Sequence, residues 1–488
     1  MKLDDFADYV AYCQQHFEEG ILRSGFVETE TGWRGTLGEA GKQVEISVVL
    51  PERFPFRPPK VRPTLEDSVP WSWHRELDGS MCLIAEDDHE DLWWVEAPAF
   101  LEHVSDWIER AAAGWPDDRP DLDLERYFPP SADKQVYLYD EEALDGNTFI
   151  RFRQEKNNVM RSGKGTPVRK ARRPSKDCGG YVVDLGEVIV PPRSWADISA
   201  RIRAEINLDA RIKRGEVKVV LLKYLRGDHD GTIVLRVFPS ADGIEARRLT
   251  SAANTATARS ARAGLQKTAL SSKSVAIIGV GALGSFTADM LARAGVRRLT
   301  LVDGDIVLPG NIVRHLVGRE SIGLPKVNAV RDYIVSRYEH GLEDITVLKK
   351  DVTTADQVAR LIRDHELVLN ASADFSTTAL LKIAAQSLGA NTISVALQDD
   401  GNAFRVDILP TLNGAPPLPP LSTLRYEGQT MPELFEAGCG SPISPTPPHA
   451  VMEAAAAAVR HSIGLLTQQP LHPAGETRSL TTVPERQT

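Results

Sequence analysis

Two sets of residues in this chain have types and spacings suited to chemistry. One is a run of glycines, cations and carboxylates between positions 279 and 374, and the other is a pair of thiols, Cys82 and Cys439. Gly279, Gly281 and Gly284 form G-x-G-x-x-G directly after the apolar run 275–278. Such a pattern lets the backbone turn sharply, lets a phosphate approach the main chain, and lets the following helix lie close to a sheet. Asp303, 24 positions beyond Gly279, closes a second apolar run, where a carboxylate can accept from ribose hydroxyls. On these residues alone a nicotinamide or flavin enzyme is the leading reading. Asp305, Asn311, Arg314 and Lys326 change it. A hydride-transfer site has no need of two cations and an amide at that place. A site that cleaves ATP does, because charge develops on the α-phosphate and on the leaving pyrophosphate. Asp374, in the loop after a further apolar run at 367–370, is placed to hold Mg²⁺ beside those phosphates.

The elements that must position these residues follow from hydrophobic patterning. Runs 275–278, 299–302 and 367–370 have the length and β-branched content of buried parallel strands, and helical patterns separate them. The C-terminal half is therefore expected to be α/β and Rossmann-like, with its ligand at the carboxyl ends of the strands. Further expectations are a helix over 377–388, strands at 392–397 and 404–409, a proline-rich crossing loop at 410–421, and a helix over 449–466. Residues 255–270 are expected to lead into the first strand as a helix.

The ordered set Gly279, Gly281, Gly284, Asp303, Asp305, Asn311, Arg314, Lys326 and Asp374 resembles the adenylating domain of ubiquitin-activating enzymes and their ThiF/MoeB-type bacterial relatives. That resemblance implies ATP and Mg²⁺ as cofactors, Asp303 at the ribose, Arg314 and Lys326 at the phosphates, and Asp374 at the metal. It also implies a homodimer through this domain, with Arg259 or Arg262 able to reach ATP. His315 stands where a Gln is usual, and the acidic loop is reduced to Asp374.

An isolated cysteine is ordinarily a buried structural thiol, and Cys13, on the apolar face of an N-terminal helix with Phe6, Tyr9, Val10 and Phe17, reads so. The context of Cys82 differs. A helix, a strand meander, Pro55 to Val61, then His74, Gly79, Cys82, Leu83, Trp94 and Pro98 resemble a ubiquitin-conjugating α+β domain. In that family the loop cysteine carries the modifier as a thioester. The usual His-Pro-Asn is here His74-Arg75-Glu76, and the His-to-Cys spacing is two residues shorter, so another group must do the work of the Asn. Cys439 lies between glycines on a loop upstream of a helix; the resemblance to activating enzymes implies the nucleophile that turns an acyl-adenylate into a thioester, and a structural or incidental thiol is the other reading.

The chain has 488 residues, which suggests several domains: a conjugating-like domain at 1–130, a small α+β connector with a basic linker at 131–254, the adenylating domain at 255–466, and a flexible tail at 467–488. Arg151 to Lys176 holds ten Lys/Arg against one Glu and reads as a solvated loop. Cys178 reads as incidental. Four scattered cysteines without C-x-x-C exclude a four-cysteine zinc site and suit a reducing compartment. A net charge of −10 argues against a nucleic-acid binder, and no long apolar run or signal peptide is evident, so a cytoplasmic protein is expected. Conjugating domain first and activating domain last resembles the fused enzymes of bacterial CBASS anti-phage systems, which join the C-terminus of a cGAS-like nucleotidyltransferase to targets. By that resemblance the partners are the C-terminal tail of such an enzyme or of a ubiquitin-like protein, and an acceptor lysine. Two other readings stay open: a sulfur-carrier adenylyltransferase, and a non-catalytic binder of a ubiquitin-like tail.

Overall fold

The computed structural model describes residues 3–38, 43–84, 91–116, 122–140, 146–164, 177–419 and 444–480. They fall into two compact units, Met1–Thr255 and Ala256–Thr488. Among the described residues no helix is long and apolar enough to cross a membrane.

The first unit holds two sheets. Strands β1 (Val27–Thr29), β2 (Gly32–Leu37), β3 (Val44–Val49) and β4 (Lys60–Pro63) make an antiparallel meander. Val44, Ile46 and Val48 alternate inward and pack with Phe17 and Ile21 of α1 (Leu3–Arg23) and Phe100 and Val104 of α2 (Ala97–Ala112). Cys13 is in that core, but Phe6 and Tyr9 of the same helix stay exposed. The second sheet has the order β11-β10-β9-β8-β6-β7-β5-β12, from β5 (Val136–Tyr139), β6 (Phe149–Gln154), β7 (Val159–Lys164), β8 (Cys178–Glu187), β9 (Val219–Arg226), β10 (His229–Ser240), β11 (Gly243–Arg248) and β12 (Ser251–Ala253). Short helices α3 (Trp195–Ser199) and α4 (Leu208–Lys213) cover it. The stretches expected as separate domains at 1–130 and 131–254 thus lie in one compact unit. Residues 151–164, expected as part of a solvated loop, instead belong to the antiparallel pair β6–β7. Alternating burial of Ile150 and Phe152 explains the difference: the cations project outward from a strand whose other face is core.

In the second unit, α5 (Ala256–Ser260) and α6 (Lys267–Leu270) replace the single lead-in helix expected over 255–270. Gly264, at φ +97°, breaks it. The sheet order is β15-β14-β13-β16-β17-β18-β19, with β13 (Ser274–Ile278), β14 (Arg298–Val302), β15 (Ile345–Leu348), β16 (Leu367–Asn370) and β17 (Thr392–Gln398) parallel. Every residue of β13 and β16 is buried, as strands covered on both faces require. On one face lie α7 (Ala282–Ala294), α8 (Lys326–Arg337) and α11 (Pro448–Leu466), and on the other α9 (Ala355–Asp364) and α10 (Phe375–Leu388). Small residues Ala454, Ala455, Ala457 and Ala458 let α11 lie close to its neighbours. β18 (Ala403–Leu409) and β19 (Gly475–Ser479) extend the sheet antiparallel. The tail expected to fray from position 467 therefore does not do so at once. It donates a strand whose Gly475, at φ +101°, lies where a Cβ would come within 1.9 Å of the Val406 carbonyl.

Candidate functional site

At the carboxyl ends of the parallel strands lies a cavity of about 620 Å³. Gly279, Gly281, Asp303, Asp305, Arg314, Lys326 and Asp374 all line it. The glycines act differently. Gly279 turns the chain at φ +80°, and an added Cβ would lie 2.6 Å from the Ser372 backbone. Gly284 does not line the cavity; its missing side chain lets α7 lie against the Gly279 carbonyl, 1.8 Å from where a Cβ would stand. Gly281 caps α7 and faces open space, with no atom within 4 Å of an added Cβ. A phosphate can therefore approach the main chain at the positive end of that helix.

Asp303 is nearly buried and ties two segments together: Oδ2 accepts from the Val280 N–H at 2.7 Å and Oδ1 from the Asp305 N–H at 2.8 Å. Each oxygen keeps a second lone pair for a hydroxyl donor. Lys326, the first residue of α8, places Nζ 2.8 Å from Asp305 Oδ2. Arg314 ends the 3-10 turn Pro309–Arg314 and donates to the Ser444 carbonyl at 3.1 Å. Asn311 is not brought to the cavity. Its Oδ1 accepts from the Leu308 N–H at 2.9 Å and so caps the turn that delivers Arg314. His315 is buried: Nε2 donates to the Val280 carbonyl at 2.9 Å, and burial lowers its pKa, favouring the neutral ring.

Asp374 caps α10, its Oδ2 accepting from the Thr377 N–H and hydroxyl at 2.7 Å each. The Thr377 hydroxyl and N–H hold its pKa below the usual carboxylate value. It is therefore an anionic hard-oxygen donor on the cavity wall. No group of three or more His, Cys, Asp or Glu is gathered as a metal cage among the described residues. A single carboxylate suits Mg²⁺, which takes one or two from protein and the rest from water and phosphate. Two charged cavity residues escaped the reading of the sequence, Lys350 and Asp351. They follow β15, and their place beside Asp303 depends on strand order; an added Cβ at Gly304 would stand 2.9 Å from Asp351 Oδ1. The only signal available was that a polar pair follows an apolar run. Arg259 pairs with Glu339 and does not line the cavity, nor does Arg262.

The first unit holds the other site. Cys82 is half-buried and lines a cavity of about 260 Å³ with His74, His103, Asp106, Trp107 and Trp115. Its N–H bonds the His74 carbonyl at 2.9 Å, and its own carbonyl accepts from Trp107 Nε1 at 2.9 Å. The ring of His74 stacks on Trp115 with centroids 3.6 Å apart. Arg75 is 1% exposed and braces the loop through the Gly79 and Val69 carbonyls. Glu76 and Arg126, the latter from the 3-10 turn Leu124–Tyr127, are the charged groups whose fields act on the thiol. Burial, with Glu76 adding to it against the opposing Arg126, raises the Cys82 pKa. Cys178 is buried and pushed up to about 11, an inert thiol. Cys439 lies outside the described residues, as does 165–176 of the basic stretch.

Residues 253–446 match the model of the ThiF family. Over 221 residues the chain is 30% identical to the uncharacterized protein y4oA of Sinorhizobium fredii, covering 41% of this chain and 37% of that protein. It is 36% identical over 104 residues to the molybdopterin-synthase adenylyltransferase of Escherichia coli, 21% of this chain and 40% of that one. To the sulfur carrier protein ThiS adenylyltransferase of Bacillus subtilis it is 35% identical over 116 residues, 23% of this chain and 34% of that one. The chain thus spans less than half the length of each of these relatives. The second unit carries a ThiF-type domain.

Proposed function

We propose that the chain activates the C-terminal carboxylate of a protein partner with ATP, forming an acyl-adenylate, and ligates it to a target amine through thioesters on Cys439 and then Cys82. The observation that carries the first step is the convergence of Gly281, Asp303, Arg314, Lys326 and Asp374 on one cavity in a ThiF-type domain. A carboxylate is a poor electrophile because it must expel oxide; attack on the α-phosphate exchanges oxide for AMP. Lys326 and Arg314 are the cations that hold the phosphates and meet the charge developing there. Asp374 would hold Mg²⁺, whose chemistry is to neutralise charge on the departing pyrophosphate. Asp303 would take the ribose hydroxyls, and neutral His315 keeps the Val280 carbonyl in place behind the glycine loop.

For the later steps the support is the resemblance around Cys82 and the cavity its thiol faces. Thiolate displacement of AMP by Cys439 and thioester exchange to Cys82 leave acyl transfer to an amine favourable. The partner is a ubiquitin-like protein or a cGAS-like nucleotidyltransferase, the setting is anti-phage defence in the cytoplasm, and the working form is a homodimer through the second unit. The test is a non-reducing gel with Mg-ATP and a candidate partner, comparing wild type with Cys439→Ala and Cys82→Ala. A thiol-sensitive adduct that Cys82→Ala retains on Cys439 and that Cys439→Ala abolishes supports the relay.

The names of the Escherichia coli and Bacillus subtilis relatives favour a second reading, a sulfur-carrier adenylyltransferase whose product leaves as a thiocarboxylate. AMP release without an adduct on either cysteine would establish that reading and remove the relay.

A further inference from the structure

Helix α2 grips the chain at Cys82 with two side chains that stand one turn apart. Trp107 Nε1 donates to the carbonyl of Cys82 at 2.9 Å, and His103 Nε2 donates to the carbonyl of Leu83 at 2.8 Å. Residues four apart share a helix face, so both rings rise side by side towards the loop. His103, Trp107 and Cys82 all line the cavity of about 260 Å³. A carbonyl oxygen only accepts, so Nε2 carries the proton, and in the neutral ring Nδ1 is left with a lone pair. The ring is half-buried and meets Trp93 in a T-shaped contact, centroids 5.1 Å apart. Nδ1 has no hydrogen-bond partner among the described residues.

We propose that His103 is the general base for acyl transfer from Cys82, its Nδ1 taking a proton from the attacking amine. This rests on the reading that Cys82 carries a thioester. The neutral amine forms a C–N bond to the thioester carbonyl carbon, and negative charge moves onto the carbonyl oxygen. Nδ1 accepts one proton from the nitrogen. The C–S bond then breaks, and the imidazolium returns its proton to the departing sulfur. The products are an amide, the Cys82 thiol and a neutral ring, with protons and electrons balanced. Three other ionisable side chains line this cavity, Asp106 and Arg110 from α2 and His74 from the loop. Arg110 has no lone pair to offer, and Asp106 is an exposed carboxylate, a weaker base than imidazole. The His74 ring is stacked on Trp115. The bonds to the Cys82 and Leu83 carbonyls hold the base and the thiol in one frame, as a preorganised site requires.

The test uses the full chain with Cys439→Ala, acylated by the mercaptoethanesulfonate thioester of N-acetylglycine and followed by intact mass. The adduct is assigned to Cys82 by its loss in Cys82→Ala. Glycinamide is then added, the decay of the adduct is timed from about pH 5.5 to about pH 8.5, and each rate is divided by the free-amine fraction. In the parent this corrected rate should rise with pH and level off as an imidazole loses its proton. His103→Gln keeps an amide N–H for the Leu83 carbonyl but has no titrating nitrogen. It should load, discharge ~100-fold more slowly at the parent's plateau, and show a corrected rate independent of pH. A parent-like rate and profile in His103→Gln overturns the assignment while leaving the Cys82 thioester standing. So does a flat corrected profile in the parent, which decides the case even where the variant fails to fold. Loss of the rise in Asp106→Asn but not in His103→Gln moves the base to the carboxylate and overturns it too. If no adduct is removed by Cys82→Ala, the thioester reading falls and the base with it.

Discussion

Lys326 Nζ and Asp305 Oδ2 lie 2.8 Å apart in the lining of the cavity at the strand ends, the lysine 12% exposed and the carboxylate 73%. An ion pair with one partner so exposed is worth ~0–1 kcal/mol, so the lysine is aimed by Asp305 rather than consumed by it. Phosphate oxygens can therefore compete for Lys326. Lys326→Met is expected to lower partner-dependent ATP–pyrophosphate exchange ~100-fold to ~1000-fold. Asp305→Asn, which removes the partner but keeps the cation, should lose less than ~10-fold. Equal losses in the two variants would show that the pair acts as a unit.

Gly279 and Gly281 separate folding from binding. Gly279→Ala puts a Cβ at φ +80° and 2.6 Å from the Ser372 backbone. Strain and clash together should destabilise the protein by ~3 kcal/mol or more, seen as a large fall in Tm. Gly281→Ala meets no neighbour. It should cost only ~1 kcal/mol, as the residue preceding a helix, yet weaken ATP at least ~10-fold in calorimetric titration.

Asp374 caps α10, and a single substitution can divide that role from the proposed one at Mg²⁺. Asn caps helices about as well as Asp. Asp374→Asn should therefore melt within ~0.5 kcal/mol of wild type and lose its dependence on Mg²⁺ for ATP binding. Asp374→Ala should lose the cap as well, costing ~1 kcal/mol. Unchanged Mg²⁺ dependence in Asp374→Asn would remove it from the metal site.

His315 and His461 are both buried, and desolvation lowers both pKa values from 6.5. The unfolded chain then takes up protons before the folded one does, so this stability is present above about pH 6.5 and is lost as pH falls through the folded values. For His315 protonation also ends acceptance of the Val317 N–H by Nδ1, at 3.3 Å. Thermal melting should show a steeper loss below about pH 6.5 than His315→Gln does. Identical slopes would mean that His315 contributes nothing to it.

Cys82 should alkylate slowly with iodoacetamide at neutral pH, because burial first, then Glu76, raises its pKa above 9.0. Glu76→Gln is expected to speed that reaction by several-fold at a fixed pH, through a larger thiolate fraction. No change would place Glu76 away from the thiol in solution.

Much of the lining of the larger cavity was legible because a βαβ unit writes itself in order. An apolar run, glycines, a helix, a second run and an acidic residue stand in sequence as they stand in space. The burial of Cys13 was legible from its helix, although Phe6 and Tyr9 on the expected apolar face stay exposed. Lys350 and Asp351 were not, since they reach the cavity only because β15 pairs with β14, and strand order is a property of the sheet. Asn311 was misplaced for the reverse reason: its spacing fits a ligand, but its amide oxygen is taken by the backbone of a turn.

The sequence by itself determined the α/β character of the second unit, the glycine turn, and the identity of the charged residues able to meet a nucleotide. Local patterning suffices there, because backbone sterics and side-chain alternation act over a few residues. Tertiary structure alone decided that Asp374 caps a helix while facing the cavity, and that residues 475–479 close the sheet edge. It also bonded the Arg126 guanidinium to the carbonyl of Trp73, 53 positions away. Those arrangements arise from packing of buried aromatic and aliphatic surfaces between segments distant in the chain, which no local pattern encodes.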